Sequence, residues 1–150
     1  MIDFTVETEI ARSPADVFAY VTDPAKLASW QANTVSAALE GGGPLRVGSR
    51  LREVHRGPGG KQLESLVEVS ELQRDRLFSL RVLEGPLPVD ARISLEASQA
   101  GTRMRFNVHG EPSGPLRFLQ PLMRLALKRQ FREHCTTLKR ALEQRPVGGA

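Results

Sequence analysis

The sequence predicts an α+β protein in which a curved antiparallel sheet of about seven strands wraps a long C-terminal helix, with two short helices after the first strand. Three observations carry this expectation. Residues 2–10 alternate, with Ile2, Phe4, Val6, Thr8 and Ile10 on one face and Asp3, Thr5, Glu7 and Glu9 on the other, the pattern of a strand with one buried and one wet side. Further alternating segments follow up to Val108, separated by turn signals rich in Gly and Pro. From Ser113 to Glu143, apolar residues recur instead at helical spacing, and no other segment is long enough for a major helix.

Taken in order, Ser13-Pro14-Ala15-Asp16 supplies an N-cap, a proline at the first helical position and an acid in the first turn. The helix it opens buries Val17, Phe18 and Val21 and stops before Pro24. Asp23 caps a second short turn that ends at Trp30. Two short helices after one strand do not make a βαβ repeat, because the segments that follow alternate as antiparallel strands do. Thr34 to Leu39 is a short strand running into Glu40-Gly41-Gly42-Gly43-Pro44, read as a mobile loop because no phosphate-loop lysine accompanies the glycines. Val47 to Arg56 is the next strand, with Leu51, Glu53 and His55 on one face and Arg50, Arg52 and Val54 on the other. Gly57-Pro58-Gly59-Gly60 makes a hairpin turn. Leu63, Ser65, Val67 and Val69 share the next face, and Arg74-Asp75-Arg76 turns the chain. Phe78, Leu80 and Val82 follow, then Gly85-Pro86-Leu87-Pro88, then Ala91, Ile93, Leu95 and Ala97. Gln99-Ala100-Gly101 turns again, and Met104, Phe106 and Val108 mark the last strand.

In the closing helix, Leu116, Leu119, Met123, Ala126, Leu127, Leu138 and Ala141 share one face, and Arg117, Arg124, Lys128, Arg132 and Lys139 cluster opposite. Pro121 lacks an N–H and clashes with a preceding turn, so it is expected to open the main helix, with Ser113 to Gln120 as a separate angled turn. From Pro121 to Glu143 the helix is about 35 Å long at ~1.5 Å per residue. Gln130 and His134 interrupt the apolar stripe. They are either partnered polar groups in an ordinary core or hydrogen-bonding handles facing a cavity. A sheet of this many strands curls around what it packs against. Small inward residues (Ser65, Ala91, Ala97, Ala126) would leave space beneath it. Cys135 is placed near the basic stripe, and with no base and acid around it a catalytic thiol is not expected.

The 150 residues fit one domain, residues 1–144, with a disordered tail over 145–150. The opening residues lack a basic region followed by an apolar one, no apolar run reaches the ~20 residues of a membrane span, and one cysteine excludes an internal disulfide. The expectation is a cytoplasmic protein with no integral membrane segment. Net charge is +4, but eight Lys or Arg against two Glu between Arg117 and Arg145 put +6 on that stretch and −2 on the rest. No nucleic-acid motif accompanies these basic residues, so a solvated outer face is expected and a nucleic-acid partner is not. A homodimer is compatible with the sequence.

These features resemble the START-like or Bet v 1-like (SRPBCC) superfamily, in particular its bacterial polyketide cyclase/dehydrase-like small proteins. The marks are the opening strand, Ser13-Pro14-Ala15-Asp16-Val17-Phe18-Ala19-Tyr20-Val21, Asp23-Pro24 and Trp30, supported by Val47-Gly48-Ser49 and the amphipathic closing helix. The resemblance covers residues 2–143 and implies a helix-grip fold whose sheet and long helix enclose a hydrophobic pocket. Lipids, polyketides, sterols, quinones or similar small molecules would fill it, and no cofactor is implied.

The expected lining is Trp30, Leu51, Glu53 and His55, then Ser65, Val67, Leu80, Ile93, Met104 and Phe106. From the helix come Leu119, Met123, Leu127, Gln130 and His134. Trp30 serves as a core plug or as an aromatic wall at the entrance. His109, Arg81 and Arg92 are expected outside. No nucleophile elbow or metal-spaced ligand pair is present, so no metal is expected. Glu53, His55 and His134 are the candidates for acid–base work on a ketone, although a mouth exposed to water is the favoured setting for Glu53 and His55. The function classes that remain are a binding protein for an apolar small molecule, a cyclase or dehydratase, and a quinone- or lipid-handling protein docking through its basic helix face.

Overall fold

Alternation in β1 (Ile2–Ile10) buries Ile2, Phe4, Val6 and Ile10 on one face, as its period requires. The computed structural model describes residues 2–85, 89–112 and 114–144. After β1, Ser13 accepts a hydrogen bond from the Asp16 N–H and opens α1 (Pro14–Val21). Asp23 accepts from the Ala25 N–H and caps a single 3₁₀ turn, Pro24–Lys26, which leads into α2 (Leu27–Trp30). Tyr20 is buried where Phe18 was expected to be. Its hydroxyl pairs with Ser29 Oγ at 2.7 Å, tying α1 to α2, while Phe18 stays half-buried.

Six strands then run as a meander: β2 (Thr34–Leu39), β3 (Arg50–Arg56), β4 (Gln62–Gln73), β5 (Leu77–Glu84), β6 (Val89–Ser98) and β7 (Gly101–Gly110). The sheet has seven strands in the order β1-β7-β6-β5-β4-β3-β2, every neighbouring pair antiparallel. β3 starts at Arg50 rather than Val47, because the Ser49 N–H bonds back to the Arg46 carbonyl and turns the chain there. A 3₁₀ segment (Gly114–Leu119) precedes the long helix α3 (Gln120–Glu143), with Pro121 in its first turn. The sheet curves around α3 in a helix-grip arrangement. The expected disordered tail over 145–150, the Pro86–Pro88 part of the β5–β6 turn and Ser113 lie outside the described residues, as does the Leu116 side chain.

The orientation of α3 departs from the apolar stripe read off the sequence. Its fully buried residues are His134, Cys135, Leu138 and Leu142. Cys135 is therefore in the core and not beside the basic stripe, and Leu119 is exposed. The helix packs on β1, an edge strand, and on α2, and those two neighbours fix its rotation. Phe131 meets Phe4 and Phe106 edge-on at ring separations of 5.9 and 4.8 Å. Ala97, expected inward, is exposed near the end of β6.

Polar clamps fix the C-terminal end of α3. Buried Arg12 donates from Nη1 to the Leu142 carbonyl at 3.0 Å and pairs with Asp16 at 3.0 Å. A cation there offsets both an orphan carbonyl and the negative end of the helix dipole. Lys139, expected on the free basic face, instead donates to the Glu9 carbonyl and to Glu143 at 2.7 and 2.6 Å. Thr102 donates to the Arg12 carbonyl at 2.7 Å. Beside it Gly101 has φ +138, and a Cβ there would lie 2.6 Å from the Ile10 carbonyl oxygen, so the close approach of β7 to β1 requires glycine.

Candidate functional site

Between the sheet and the N-terminal half of α3 lies a cavity of about 550 Å³, within the ~300–1,000 Å³ range of small-molecule sites. Its walls follow from strand periodicity. Ser65 and Val67 face it from β4, Phe78, Leu80 and Val82 from β5, Ala91 and Ile93 from β6, and Phe106 from β7. Serine and alanine at two of these positions leave the volume that larger side chains would fill. Met123, Ala126, Leu127, Gln130, Phe131 and His134 close it from α3.

Polar groups gather at one end. Glu53 on β3 is 6% exposed, and its Oε1 lies 3.1 Å from His55 Nε2. His55 Nδ1 lies 3.3 Å from Thr34 Oγ1, whose hydroxyl donates to Gln31 Oε1 at 3.1 Å. Glu53 is buried while His55 keeps 20% of its side chain exposed; β2 pairs beside β3, and Gln31 and Asn33 of the α2–β2 junction line the same end. Asn33, Arg56, Gln130 and His134 complete this polar end. The same four, with Gly57, also line an adjoining surface depression. Two polar atoms of lining residues, Trp30 Nε1 and Asn33 Oδ1, are buried without a hydrogen-bond partner. A cost of that kind is unusual in a settled core.

His134 is wedged between Trp30 and Phe131, with ring centroids 6.2 and 5.2 Å away, both edge-on. Burial among these rings lowers its pKa to about 4, with a further contribution from His55. It is a neutral imidazole at ordinary pH. Cys135, one residue on, has its thiol pushed up to about 12 by burial, which leaves it protonated and a poor nucleophile.

Twelve of the fifteen residues expected at the pocket line the cavity: Trp30, Glu53, His55, Ser65, Val67, Leu80, Ile93, Phe106, Met123, Leu127, Gln130 and His134. The other three do not. Leu51 is buried on the same face of β3 as Glu53 but outside the cavity, and Met104 is packed into the solid core. Leu119 precedes α3 and points into solvent. Trp30 is both plug and wall, because it belongs to the core cluster and to the lining. Among residues not anticipated, Phe78 and Val82 share the alternating face of Leu80 and were readable from it. Gln31 and Asn33 sit in an aperiodic junction that gives no such signal. His109, Arg81 and Arg92 are roughly half exposed on the outer side, paired with Asp3, Asp90 and Glu71. Among the described residues, no group of three or more His, Cys, Asp or Glu is arranged to hold a metal ion.

Residues 1–143 match the family model described as polyketide cyclase / dehydrase and lipid transport. A crystal structure of a Nitrosomonas europaea protein has 19% identity, 95% coverage of each chain and a TM-score of 0.76. A Thermus thermophilus protein has 19% identity, coverage of 95% of this chain and 94% of that one, and a TM-score of 0.71. Ara h 8.0201 has 17% identity, coverage of 95% and 98%, and a TM-score of 0.70. At these identities the structural matches establish the fold. No curated protein matches this sequence.

Proposed function

The chain belongs to the polyketide cyclase/dehydrase and lipid transport family, within the START-like or Bet v 1-like superfamily, and from that premise we propose that it binds one hydrophobic small molecule between sheet and helix. The observation that carries this reading is the segregated cavity. An apolar body would rest against Val67, Leu80, Ile93, Met123 and Leu127, and one polar group would reach Glu53, His55 and Gln130. A lipid, quinone or polyketide has that form, with a long apolar part and one oxygenated end. The protein acts from the cytoplasm in this reading, where reducing conditions keep its single cysteine free.

Native mass spectrometry of the purified protein should show a copurifying small molecule. A thermal screen against quinones, fatty acids and aromatic polyketides should raise stability by about 2.7 kcal/mol at a hundred times the dissociation constant. No bound mass and no shift with any of these classes would overturn the proposal.

The buried Glu53–His55 pair favours a second reading, as an enzyme. The Glu53 carboxylate would take a proton from the carbon next to a ligand carbonyl. His55, engaged with Glu53 and Thr34 through its two ring nitrogens, would hold that carboxylate in place, and the Gln130 amide N–H would hydrogen-bond the carbonyl oxygen as the enolate forms, preparing aldol-type ring closure and loss of water. Turnover of an aromatic polyketide substrate that survives unchanged in both Glu53→Gln and His55→Ala would sink this reading.

A further inference from the structure

The 3₁₀ segment and the first turns of α3 carry a surface that the cavity does not explain. Phe118, Leu119, Leu122 and Leu125 are 75%, 47%, 68% and 66% exposed, four large apolar side chains within eight residues. Among the described residues the other exposed large apolar side chains (Val35, Val47, Leu83) are scattered singly, which is ordinary for a protein surface. Leu122, Leu125 and Arg129 stand at i, i+3 and i+7, on one line of the helix, and that line faces away from the sheet. Farther along the same side the helix turns polar, with Arg132, Glu133, Thr136 and Arg140 exposed.

The charge around this strip is predominantly positive. From Pro112 to Arg132 the sequence holds Arg117, Arg124, Lys128, Arg129 and Arg132 and no acid. Arg129 is 85% exposed at its side chain and shares a solvent-exposed ion pair with Glu133 at 3.6 Å, and the Arg117 guanidinium lies 5.1 Å over the Phe118 ring. Apolar residues interleaved with arginines at one helix face suit the boundary of an anionic bilayer, where rings and leucines enter the acyl region and guanidinium groups meet phosphates. A second copy would bring two such cationic strips together, which disfavours self-association through this face. No described helix is long and apolar enough to cross a membrane, so the contact is with a surface.

We infer that the 3₁₀ segment and N-terminal half of α3 dock on an anionic lipid surface, with Phe118, Leu119, Leu122 and Leu125 inserted and the arginines on the headgroups. Met123, Ala126 and Leu127, neighbours of the inserted leucines, line the cavity. Docking therefore sets the cavity wall beside the phase in which an apolar ligand dissolves. That consequence rests on the binding function proposed above, whereas the docking itself does not.

Flotation of the full chain with phosphatidylcholine vesicles, with and without phosphatidylglycerol, tests the inference. The expected result is binding that requires phosphatidylglycerol, weakens with salt and falls by about tenfold or more in Leu122→Glu/Leu125→Glu at unchanged melting temperature. A cavity-filled Ala91→Phe protein should still float, so failure of ligand binding and failure of docking read separately. Equal binding to both vesicle types, no binding to either, or undiminished binding of the double variant overturns the inference. So does a wild-type dimer that the double variant converts to monomer, which would assign the strip to a second copy.

Discussion

The two halves of α3 have the same secondary structure and opposite surroundings. From His134 onward the helix is locked: Leu138 and Leu142 are buried, Arg12 holds the Leu142 carbonyl, and Lys139 and Glu143 reach β1 and the Ala11 N–H. From Gln120 to Arg129 its inner side chains border empty space and its outer ones include two exposed leucines. One end stores the stability and the other leaves apolar surface uncovered, inside and out. A segment that spent its apolar residues only on folding would not look like this.

Substitutions should separate the halves. The largest effect is expected from Leu138→Ala, which removes a side chain with no exposed surface and should cost about 2–5 kcal/mol in urea unfolding. A loss under ~1 kcal/mol would mean that the C-terminal half is not the locked end.

At the junction, His134 has a folded pKa of about 4, below the ordinary 6.5 of its unfolded state. Between these values the unfolded chain takes up a proton that the folded chain refuses. The His134 contribution is thus complete above pH 6.5 and is lost as pH falls to about 4, by roughly 3 kcal/mol. His55, which adds to the lowering, is itself 3.1 Å from Glu53. Urea unfolding of wild type and His134→Leu across this range should show the dependence in the wild type and a flatter curve in the variant. Parallel curves would remove His134 as the cause. The smallest effect belongs to the outer face of the other half, where Leu125→Ser should change stability by no more than about 0.5 kcal/mol.

How much was legible follows from which periodicity carried it. Period-2 alternation identified the inward faces of the strands, so Ser65, Leu80, Ile93 and Phe106 could be placed before any coordinates. It does not say where along a face the helix stops filling space. Leu51 and Met104 therefore had the right face but the wrong position. The helix is read less well, because a stripe interrupted by Gln130 and His134 leaves the axial rotation to the neighbours it packs on. That is why Cys135 proved buried and Leu119 exposed. Pro121 was a reliable marker, since its missing N–H permits few positions in a helix. The burial of Glu53 depended on β2 and on the junction bearing Gln31 and Asn33, which have no period to read.

The most direct measurement is fluorescence titration of a fatty-acid analogue into wild type and Ala91→Phe, with melting temperatures recorded for both. Ala91 borders the cavity between Leu80 and Val108 in register, so a phenyl ring there should occupy the volume without moving a strand. Saturable binding at one site in the wild type, abolished in an equally stable variant, is the predicted result. Equal binding by the two proteins would show that the ligand sits elsewhere and would contradict the account.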